Sequence, residues 1–189
     1  MRKTITITAH DRPELLSKTL DALSKNNTDN WELFVSIEPT TLTESMISIV
    51  KERFPDANIL SPKKKLGVCE NPFQLLEHVF DSVKSDINIY LEEDLDISPD
   101  VCDIAEFYLD KGCPEICVCL CNHNLNSETI IDSEKLLVET QKFSALGMIL
   151  SSDSWRDNFK PNWRSRKKPR GWDHSIQRYV IANKKTILM

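Results

Sequence analysis

The sequence lacks any apolar run long enough to cross a membrane. A membrane-spanning helix needs roughly 18 or more apolar residues in succession, and no stretch of the 189 residues approaches that length. The N-terminus also lacks a charged segment followed by an apolar one, which is the pattern of a secretory signal peptide. It enters an alternating Thr-Ile pattern by residue 4. We therefore expect a cytoplasmic protein without a membrane span.

The sequence also lacks an excess of positive charge. The chain has 24 Lys and Arg against 29 Asp and Glu, a net charge of −5. Proteins that bind nucleic acid over a whole face are normally basic, so we do not expect a nucleic-acid partner. The cations are unevenly spread, because six of them lie between Lys160 and Arg170 with no acid among them. We expect a local cationic loop there.

The six cysteines come without a secretory signal, so we expect free thiols rather than disulfides. Cys117, Cys119 and Cys121 alternate, which places them on one face of a strand. They are either small buried hydrophobic residues or a zinc site completed by His123. The C-x₂₋₄-C spacing that zinc sites favour is missing, which favours burial.

Short apolar runs alternate with helical patterns through the first half of the chain. The predicted strands are 4–9, Trp31–Ile37, Asn58–Leu60 and 87–91, with amphipathic helices between them. This alternation predicts an α/β fold with a parallel sheet covered by helices. Such sheets bind ligands at the carboxyl ends of their strands. The segments at those ends are 10–12, Glu38, 63–67 with its three lysines, and 92–94.

The second half is less regular. We predict helices at 99–111, 154–159 and 172–181, strands at 116–121 and 186–189, and a basic, aromatic loop at 161–171. A length of 189 residues suits one domain, with a donor-binding half (1–100) and an acceptor-binding half (101–189). Because the chain stops inside an apolar segment, we expect it to derive from a longer protein.

Four acids within five positions follow the predicted strand at 87–91: Glu92, Glu93, Asp94 and Asp96. Like charges this close repel one another. Mg²⁺ or Mn²⁺ would relieve the repulsion, since such ions prefer one or two carboxylates together with substrate phosphates. A solvated acidic turn before a helix is the alternative interpretation. The position at the end of a parallel strand favours the metal.

Several segments resemble one enzyme family. Residues 91–100, Leu-Glu-Glu-Asp-Leu-Asp-Ile-Ser-Pro-Asp, resemble the acidic metal motif of GT-A glycosyltransferases, in the E-D-D-L-x-x-x-P-D form of N-acetylglucosaminyltransferase I-type enzymes. Residues 6–13 resemble the first strand and loop of those enzymes and of glycosyltransferase family 2. Residues 143–150 resemble the F-x-x-L-G-x-x-L segment of these enzymes. Residues 171–173 resemble the segment that carries their catalytic acid.

The resemblance implies a GT-A fold, with a Rossmann-like, mostly parallel central sheet and helices on both faces. It also implies an inverting hexosyl- or N-acetylhexosaminyltransferase. The donor would be a nucleotide-sugar, and a UDP-sugar is the one expected. It would be used with Mn²⁺ or Mg²⁺. The acceptor hydroxyl would belong to a glycan, a lipid-linked molecule or a protein.

The same resemblance implies residue roles. Asp94 would coordinate the cation, while Glu92 and Glu93 would contact the ribose or metal-bound waters. Asp173 would be the general base, although a shift of one residue would place His174 there. The uridine pocket would be lined by His10, Asp11, Arg12 and Glu38.

Weaker candidates for acceptor or loop contacts are Asn122, Gly147, Trp163, Arg170 and His174. We expect Trp155 to be a packing residue and Trp163 to lie nearer the ligand. The lysines at 63–65 are either a solvated loop or neighbours of a phosphate. Gly67 is expected to have a positive φ.

Two other functions fit parts of this pattern. A sugar-phosphate nucleotidyltransferase would share the sheet and the metal acids, but it would carry a glycine-rich loop after the first strand. Residues 10–13, His-Asp-Arg-Pro, contain no glycine. A non-catalytic module that binds carbohydrate or a partner would use the same scaffold without binding UDP in the presence of Mn²⁺.

Overall fold

A computed structural model of the chain describes residues 1–121, 137–163 and 171–189. The strands in these ranges are β1 Lys3–Ala9, β2 Trp31–Ile37, β3 Asn58–Leu60, β4 Ile87–Glu92, β5 Val118–Cys119, β6 Glu139–Thr140, β7 Met148–Ser151 and β8 Ile187–Leu188. The α-helices are α1 Pro13–Leu23, α2 Thr43–Arg53, α3 Glu70–Glu77, α4 Val101–Asp110, α5 Ser152–Ser154 and α6 Trp172–Ala182. A π-helical segment, His78–Ser82, continues α3, and α5 runs on into a second one, Trp155–Phe159, and a 3₁₀ turn, Lys160–Asn162.

All of these strands belong to one sheet, in the order β3-β2-β1-β4-β7-β5-β8-β6. The pairs β1–β2, β1–β4, β2–β3 and β5–β8 are parallel. The pairs β4–β7, β5–β7 and β6–β8 are antiparallel. The predicted parallel sheet of the first half is therefore confirmed, and it places the carboxyl ends of β1, β2 and β4 side by side.

Alternating strand residues form one apolar core on each face of the sheet. Ile5 and Ile7 pack with α1, α2 and α4 on one face. Phe34 and Tyr90 pack with α3, α6 and the π-helical segments on the other. Since successive strand side chains point to opposite faces, this arrangement confirms helices on both faces of the sheet.

The threonines of β1 are buried although they are polar. Thr4 and Thr6 are both fully buried. The Thr4 hydroxyl donates to Asn88 Oδ1 at 2.8 Å, and Asn88 Nδ2 donates to Thr6 Oγ1 at 2.9 Å. Buried polar groups are tolerated when they are hydrogen-bonded in this way. The Thr-Ile alternation therefore belongs to a strand buried on both faces.

The start of α1 has no side-chain cap. The spacing of Asp11 and Glu14 is that of a capping box, but Arg12 is the N-cap residue and no side chain caps the helix. Asp11 instead lies beside His10, with Nδ1 and Oδ1 3.0 Å apart. The contact with His10 takes the carboxylate away from the helix amides.

The cysteines are free thiols, as predicted. Cys117 and Cys119 are buried in the core that contains α6, whereas Cys121 is half-buried. His123, the fourth residue of the alternative zinc site, lies outside the described residues. Within the ranges given above, no three metal-binding side chains are grouped to hold an ion, and no helix is long and apolar enough to span a membrane.

Candidate active site

A cavity of about 360 Å³ opens where β1, β2 and β4 end. Its wall comes from the last residues of β1 and β4, the segments that follow β1, β2, β3 and β4, and the start of α3. The structure thus brings together the four segments selected from the sequence. The lining residues are Thr8, Ala9, His10, Asp11, Arg12, Glu38, Lys65, Gly67, Val68, Asn71, Pro72, Tyr90, Glu92 and Glu93.

Glu93 is a buried carboxylate in this wall. It is only 2% exposed, and it accepts hydrogen bonds from the His10 backbone N–H at 2.9 Å and from Arg12 Nε at 2.8 Å. A charge this buried needs a partner of opposite charge. Glu93 therefore fixes the loop after β1 against the end of β4.

Arg12 also contacts the next acid. Its Nη1 lies 2.8 Å from Asp94 Oδ2, and the hydrogen bond to Glu93 raises the pKa of the Arg12 guanidinium. Asp94 has 32% of its side chain exposed and lies beside the cavity rather than among its lining residues. One guanidinium thus offsets part of the repulsion between the two carboxylates.

Glu92 is hydrogen-bonded to Tyr90, two residues before it on β4. The Tyr90 hydroxyl donates to Glu92 Oε1 at 3.2 Å and lies 3.0 Å from the Thr8 hydroxyl. Burial raises the pKa of Glu92, and the nearby carboxylates of Asp94 and Glu93 act in the same direction. The charged form of Glu92 is therefore disfavoured in the protein without a bound cation.

Glu38 is connected to the 63–68 loop. It is 3% exposed, and its two oxygens accept hydrogen bonds from the backbone N–H groups of Leu66 at 2.8 Å and Gly67 at 2.7 Å. Gly67 has φ +81°, which confirms the predicted positive φ. Glu38 lines the cavity, and its two oxygens accept hydrogen bonds from the loop backbone.

Asp173 lies in the first turn of α6 and is half-buried, whereas His174 is exposed. A β-carbon at Gly171 would come within 2.5 Å of Asp173 Oδ1, so the glycine leaves room for the carboxylate. Trp172 packs edge-on against Tyr90, with ring centroids 6.3 Å apart. This contact places the start of α6 next to β4, although Asp173 is not among the cavity lining residues.

Trp163 does not lie in the cavity wall, where the sequence led us to expect a ligand contact. It is 9% exposed and stacks on Trp172, with centroids 4.0 Å apart and planes at 8°. Its Nε1 donates to the Cys69 carbonyl at 3.0 Å. Trp155 is 1% exposed in the same aromatic cluster, which confirms its predicted packing role.

Of the remaining weak candidates, Gly147 is not among the cavity lining residues. It has φ +75°, and a β-carbon there would lie 3.2 Å from Leu120, so the backbone conformation and the close packing both favour glycine. Asn122 and Arg170 lie outside the described residues.

Six of the lining residues given above were not predicted from the sequence: Thr8, Ala9, Val68, Asn71, Pro72 and Tyr90. Tyr90 could have been found, because it precedes Glu92 by two positions and so shares its face of the strand. Val68 and Asn71 reach the cavity only through the path of the loop before α3, which residue spacing does not predict.

The fold is that of the GT-A glycosyltransferases. S. aureus TarS 1–349, in complex with UDP-GlcNAc, has a TM-score of 0.73 and 11% identity, covering 100% of this chain and 55% of that one. GlyE from Streptococcus pneumoniae TIGR4 has a TM-score of 0.57 and 13% identity, over 100% of this chain and 45% of that one. The mannosyltransferase PcManGT from Pyrobaculum calidifontis, with GDP-Man and Mn²⁺, has a TM-score of 0.50 and 19% identity, over 62% of this chain and 34% of that one. The chain therefore spans little more than half of TarS 1–349.

The chain belongs to the GNT-I family, whose sequence model matches residues 73–181. This confirms the resemblance to N-acetylglucosaminyltransferase I-type enzymes. The match contains the acidic motif and Asp173, whereas residues 10–12 and Glu38 lie before it. Comparison with curated protein sequences found no match.

Proposed function

We propose that this protein transfers a hexosyl or N-acetylhexosaminyl group from a UDP-sugar to an acceptor hydroxyl, with inversion and with a divalent cation. The observation that carries the proposal is the convergence of Glu92, Glu93 and Asp94 with a cavity at the carboxyl ends of parallel strands. The GNT-I family supports glycosyl transfer. UDP-GlcNAc in TarS, and GDP-Man with Mn²⁺ in PcManGT, support a nucleotide-sugar donor and a cation.

The acids fit a cation that is shared with a ligand. The described residues contain no group of three metal-binding side chains, so they offer no closed protein cage. Mg²⁺ and Mn²⁺ sites of the shared kind need only one or two carboxylates, because phosphates and water complete the shell. Asp94, a partly exposed carboxylate beside the cavity, would hold such an ion, which would neutralise charge on the diphosphate leaving group.

The chain's own cations complement that role. Arg12 and Lys65 both line the cavity. Cationic groups near a diphosphate stabilise the charge that develops as the glycosidic bond to phosphate breaks. Among the described residues, those that line the cavity come from the first half of the chain, which supports assigning donor binding to residues 1–100.

Asp173 is the proposed general base. It would take the proton of the acceptor hydroxyl while the oxygen attacks the anomeric carbon from the side opposite the diphosphate, which inverts that carbon. A base must come within hydrogen-bond reach of the hydroxyl. The partly exposed carboxylate at the start of α6 supports this role, and the exposed His174 is the alternative base.

Thermal-shift titration with UDP, GDP, CDP and TDP, each with and without Mn²⁺, tests the donor and the metal. We expect a Mn²⁺-dependent stabilisation by UDP of about 2–3 kcal/mol at a hundredfold excess over Kd. Asp94→Ala should abolish it. The absence of any nucleotide effect would contradict the proposal and favour a non-catalytic binding module.

The base is tested by Asp173→Asn, with His174→Gln as the matched variant. We expect Asp173→Asn to retain the UDP-dependent shift but to lose release of UDP from UDP-sugars in the presence of an acceptor panel. His174→Gln should retain both. Full activity of the Asp173 variant together with an inactive His174 variant would move the base to His174.

A further inference from the structure

We propose that Trp163 is a positioning residue for catalysis, which holds the first turn of α6, with Asp173, against the wall of the donor cavity. This role rests on the proposed function, since Asp173 is the proposed base. Trp163 is not among the cavity lining residues. It stacks on Trp172, the residue before Asp173, so its effect on the reaction passes through α6.

A hydrogen bond ties Trp163 to the start of α3. Its Nε1 donates to the carbonyl of Cys69 at 3.0 Å, and Cys69 is the N-cap residue of α3. The residue before Cys69 is Val68, which lines the cavity. Since Trp163 is only 9% exposed, its N–H needs a partner inside the protein, and the Cys69 carbonyl is that partner. The indole is therefore fixed to a segment of the cavity wall.

The same indole covers one face of Trp172. The two ring centroids lie 4.0 Å apart, and the ring planes are at 8° to each other. Because close-packed side chains transmit displacements to their neighbours, a shift of one ring moves the other. Trp172 is buried and begins α6, with Asp173 next in the same turn. The position of Trp163 thus sets the position of the first turn of α6.

Tyr90 contacts Trp172 from β4. Its ring meets Trp172 edge-on, at 86° and with centroids 6.3 Å apart. Tyr90 also lines the cavity, and its hydroxyl donates to Glu92 Oε1 at 3.2 Å. Trp172 is thus held by two parts of the cavity wall, by β4 through Tyr90 and by the start of α3 through Trp163. Together these contacts fix how far the first turn of α6 lies from the cavity.

Other contacts hold the later turns of α6. Gln177 Oε1 accepts from the Phe143 backbone N–H at 2.7 Å, and the Tyr179 hydroxyl donates to Asn158 Oδ1 at 2.7 Å. These bonds do not involve Trp163. A variant that lacks the indole should therefore keep the helix and its place in the fold, while the first turn gains freedom to move.

A base is sensitive to such movement, whereas donor binding is not. The carboxylate must come within hydrogen-bond reach of the acceptor hydroxyl, and a misplacement of about 1 Å costs about 100-fold in rate. The lining residues given above belong to elements other than α6. Loss of the indole should therefore lower kcat and leave the donor KM nearly unchanged.

The test uses Trp163→Leu, with Trp163→Phe as the conservative variant and Trp31→Leu as the control. Leucine removes both the stacking surface and the N–H. Phenylalanine keeps a ring to pack against Trp172 but lacks the N–H. Trp31 is 8% exposed, much like Trp163, but it belongs to the core on the opposite face of the sheet. Its variant therefore matches the loss of burial without changing the contacts of α6.

Kinetics and binding are measured on each variant. Release of UDP from UDP-GlcNAc, with a panel of methyl glycosides as acceptors, gives kcat and the donor KM, and calorimetry with UDP and Mn²⁺ gives Kd. We expect Trp163→Leu to lower kcat by about 100-fold and to change KM and Kd by less than about threefold. Trp163→Phe should recover kcat to within about tenfold of wild type, and Trp31→Leu should leave kcat unchanged.

A double-mutant cycle shows whether Trp163 acts through Asp173. In Asp173→Asn the base is already lost, so adding Trp163→Leu should lower the residual rate by less than about threefold. A second readout needs no turnover: crystal structures of the wild type and Trp163→Leu, superposed on β1, β2 and β4. The Asp173 carboxylate should move by about 1 Å or more in the variant.

Two kinds of result would overturn this role. An unmoved Asp173 in the Trp163→Leu crystal, or an equal loss of kcat in the Asp173→Asn background, would show that Trp163 does not position the base. A raised donor KM with a normal kcat would make Trp163 a donor-binding residue. Full activity of Asp173→Asn, or no UDP release by the wild type, would count against the proposed function, whereas the crystal structures would still report whether Trp163 places α6.

Discussion

Replacing Arg12 with alanine should lower the free energy of unfolding by about 2–3 kcal/mol. The change removes the charged partner of Glu93, which is 2% exposed, and also the contact with Asp94. Two neighbouring carboxylates then face each other without a guanidinium between them. The His10 backbone N–H is left as the donor to Glu93.

The magnitude follows from the burial of each group. Removing one partner of a fully buried ion pair costs about 3–5 kcal/mol. Arg12 has 47% of its side chain exposed, so water can enter the vacated space and solvate Glu93 in part. The Asp94 contact is more exposed and adds at most about 1 kcal/mol. A loss near the lower limit for buried pairs, about 2–3 kcal/mol, is therefore expected.

Urea unfolding followed by tryptophan fluorescence measures this loss. In a thermal melt it should appear as a decrease in Tm of about 4–12 °C for a domain of this size. Arg156→Ala is the control, because Arg156 has 65% of its side chain exposed and pairs only with Asp153 and Asp157 among the described residues. That variant should lose less than about 1 kcal/mol.

A double-mutant cycle identifies the cause. When Glu93→Gln is already present, the buried charge is gone, and Arg12→Ala should then cost less than about 1 kcal/mol. An equal cost of Arg12→Ala with and without Glu93→Gln would refute the reasoning. The stabilising contribution of Arg12 would then come from packing rather than from the buried carboxylate.

Three further predictions concern pH, reactivity and backbone conformation. Burial raises the pKa of Glu92 above 4.5, its ordinary value, so ionisation destabilises the folded protein. Glu92→Gln should therefore raise the Tm at pH 7.5 without Mn²⁺, and the gain should diminish as the pH falls through the raised pKa and then below 4.5, where the unfolded chain is protonated as well. Burial also raises the pKa of Cys113 to about 11, so native Cys113 should react with iodoacetamide at neutral pH about tenfold or more slower than an ordinary thiol, and at the ordinary rate in urea. Gly147→Ala should lower the free energy of unfolding in urea by about 1–3 kcal/mol, and Gly112→Ala should lower it less. Both glycines have a positive φ, but only a β-carbon at position 147 would meet Leu120, at 3.2 Å. Equal losses in the two variants would contradict this prediction.

The strands of the first half were predictable from sequence because each is an apolar run bounded by turn residues. β2 and β3 have the predicted bounds, since Glu38-Pro39 ends the first and the second is a short run before Ser61-Pro62. β5 is only two residues long and lies within the strand predicted at 116–121. β6, also two residues long, was not predicted. It exists through its pairing with β8, and such a distant partner leaves no local pattern.

The location of the site was also predictable, but the contacts within it were not. Acidic residues at the ends of parallel strands indicate a ligand-binding site at the carboxyl edge of the sheet. Arg12 meets Glu93 across 81 positions, and Glu38 meets Leu66 across 28. Residue spacing does not show which buried carboxylate takes a guanidinium and which takes backbone amides, because that depends on how the loops pack after the sheet has formed.

The most direct test of the proposed cation site is anomalous diffraction from crystals soaked with MnCl₂ and UDP. We expect an anomalous peak that adjoins both the Asp94 carboxylate and the UDP phosphates, with Arg12 no longer hydrogen-bonded to Asp94. UDP bound in the cavity without such a peak, and with the Arg12–Asp94 contact unchanged, would rule out a cation site at Asp94.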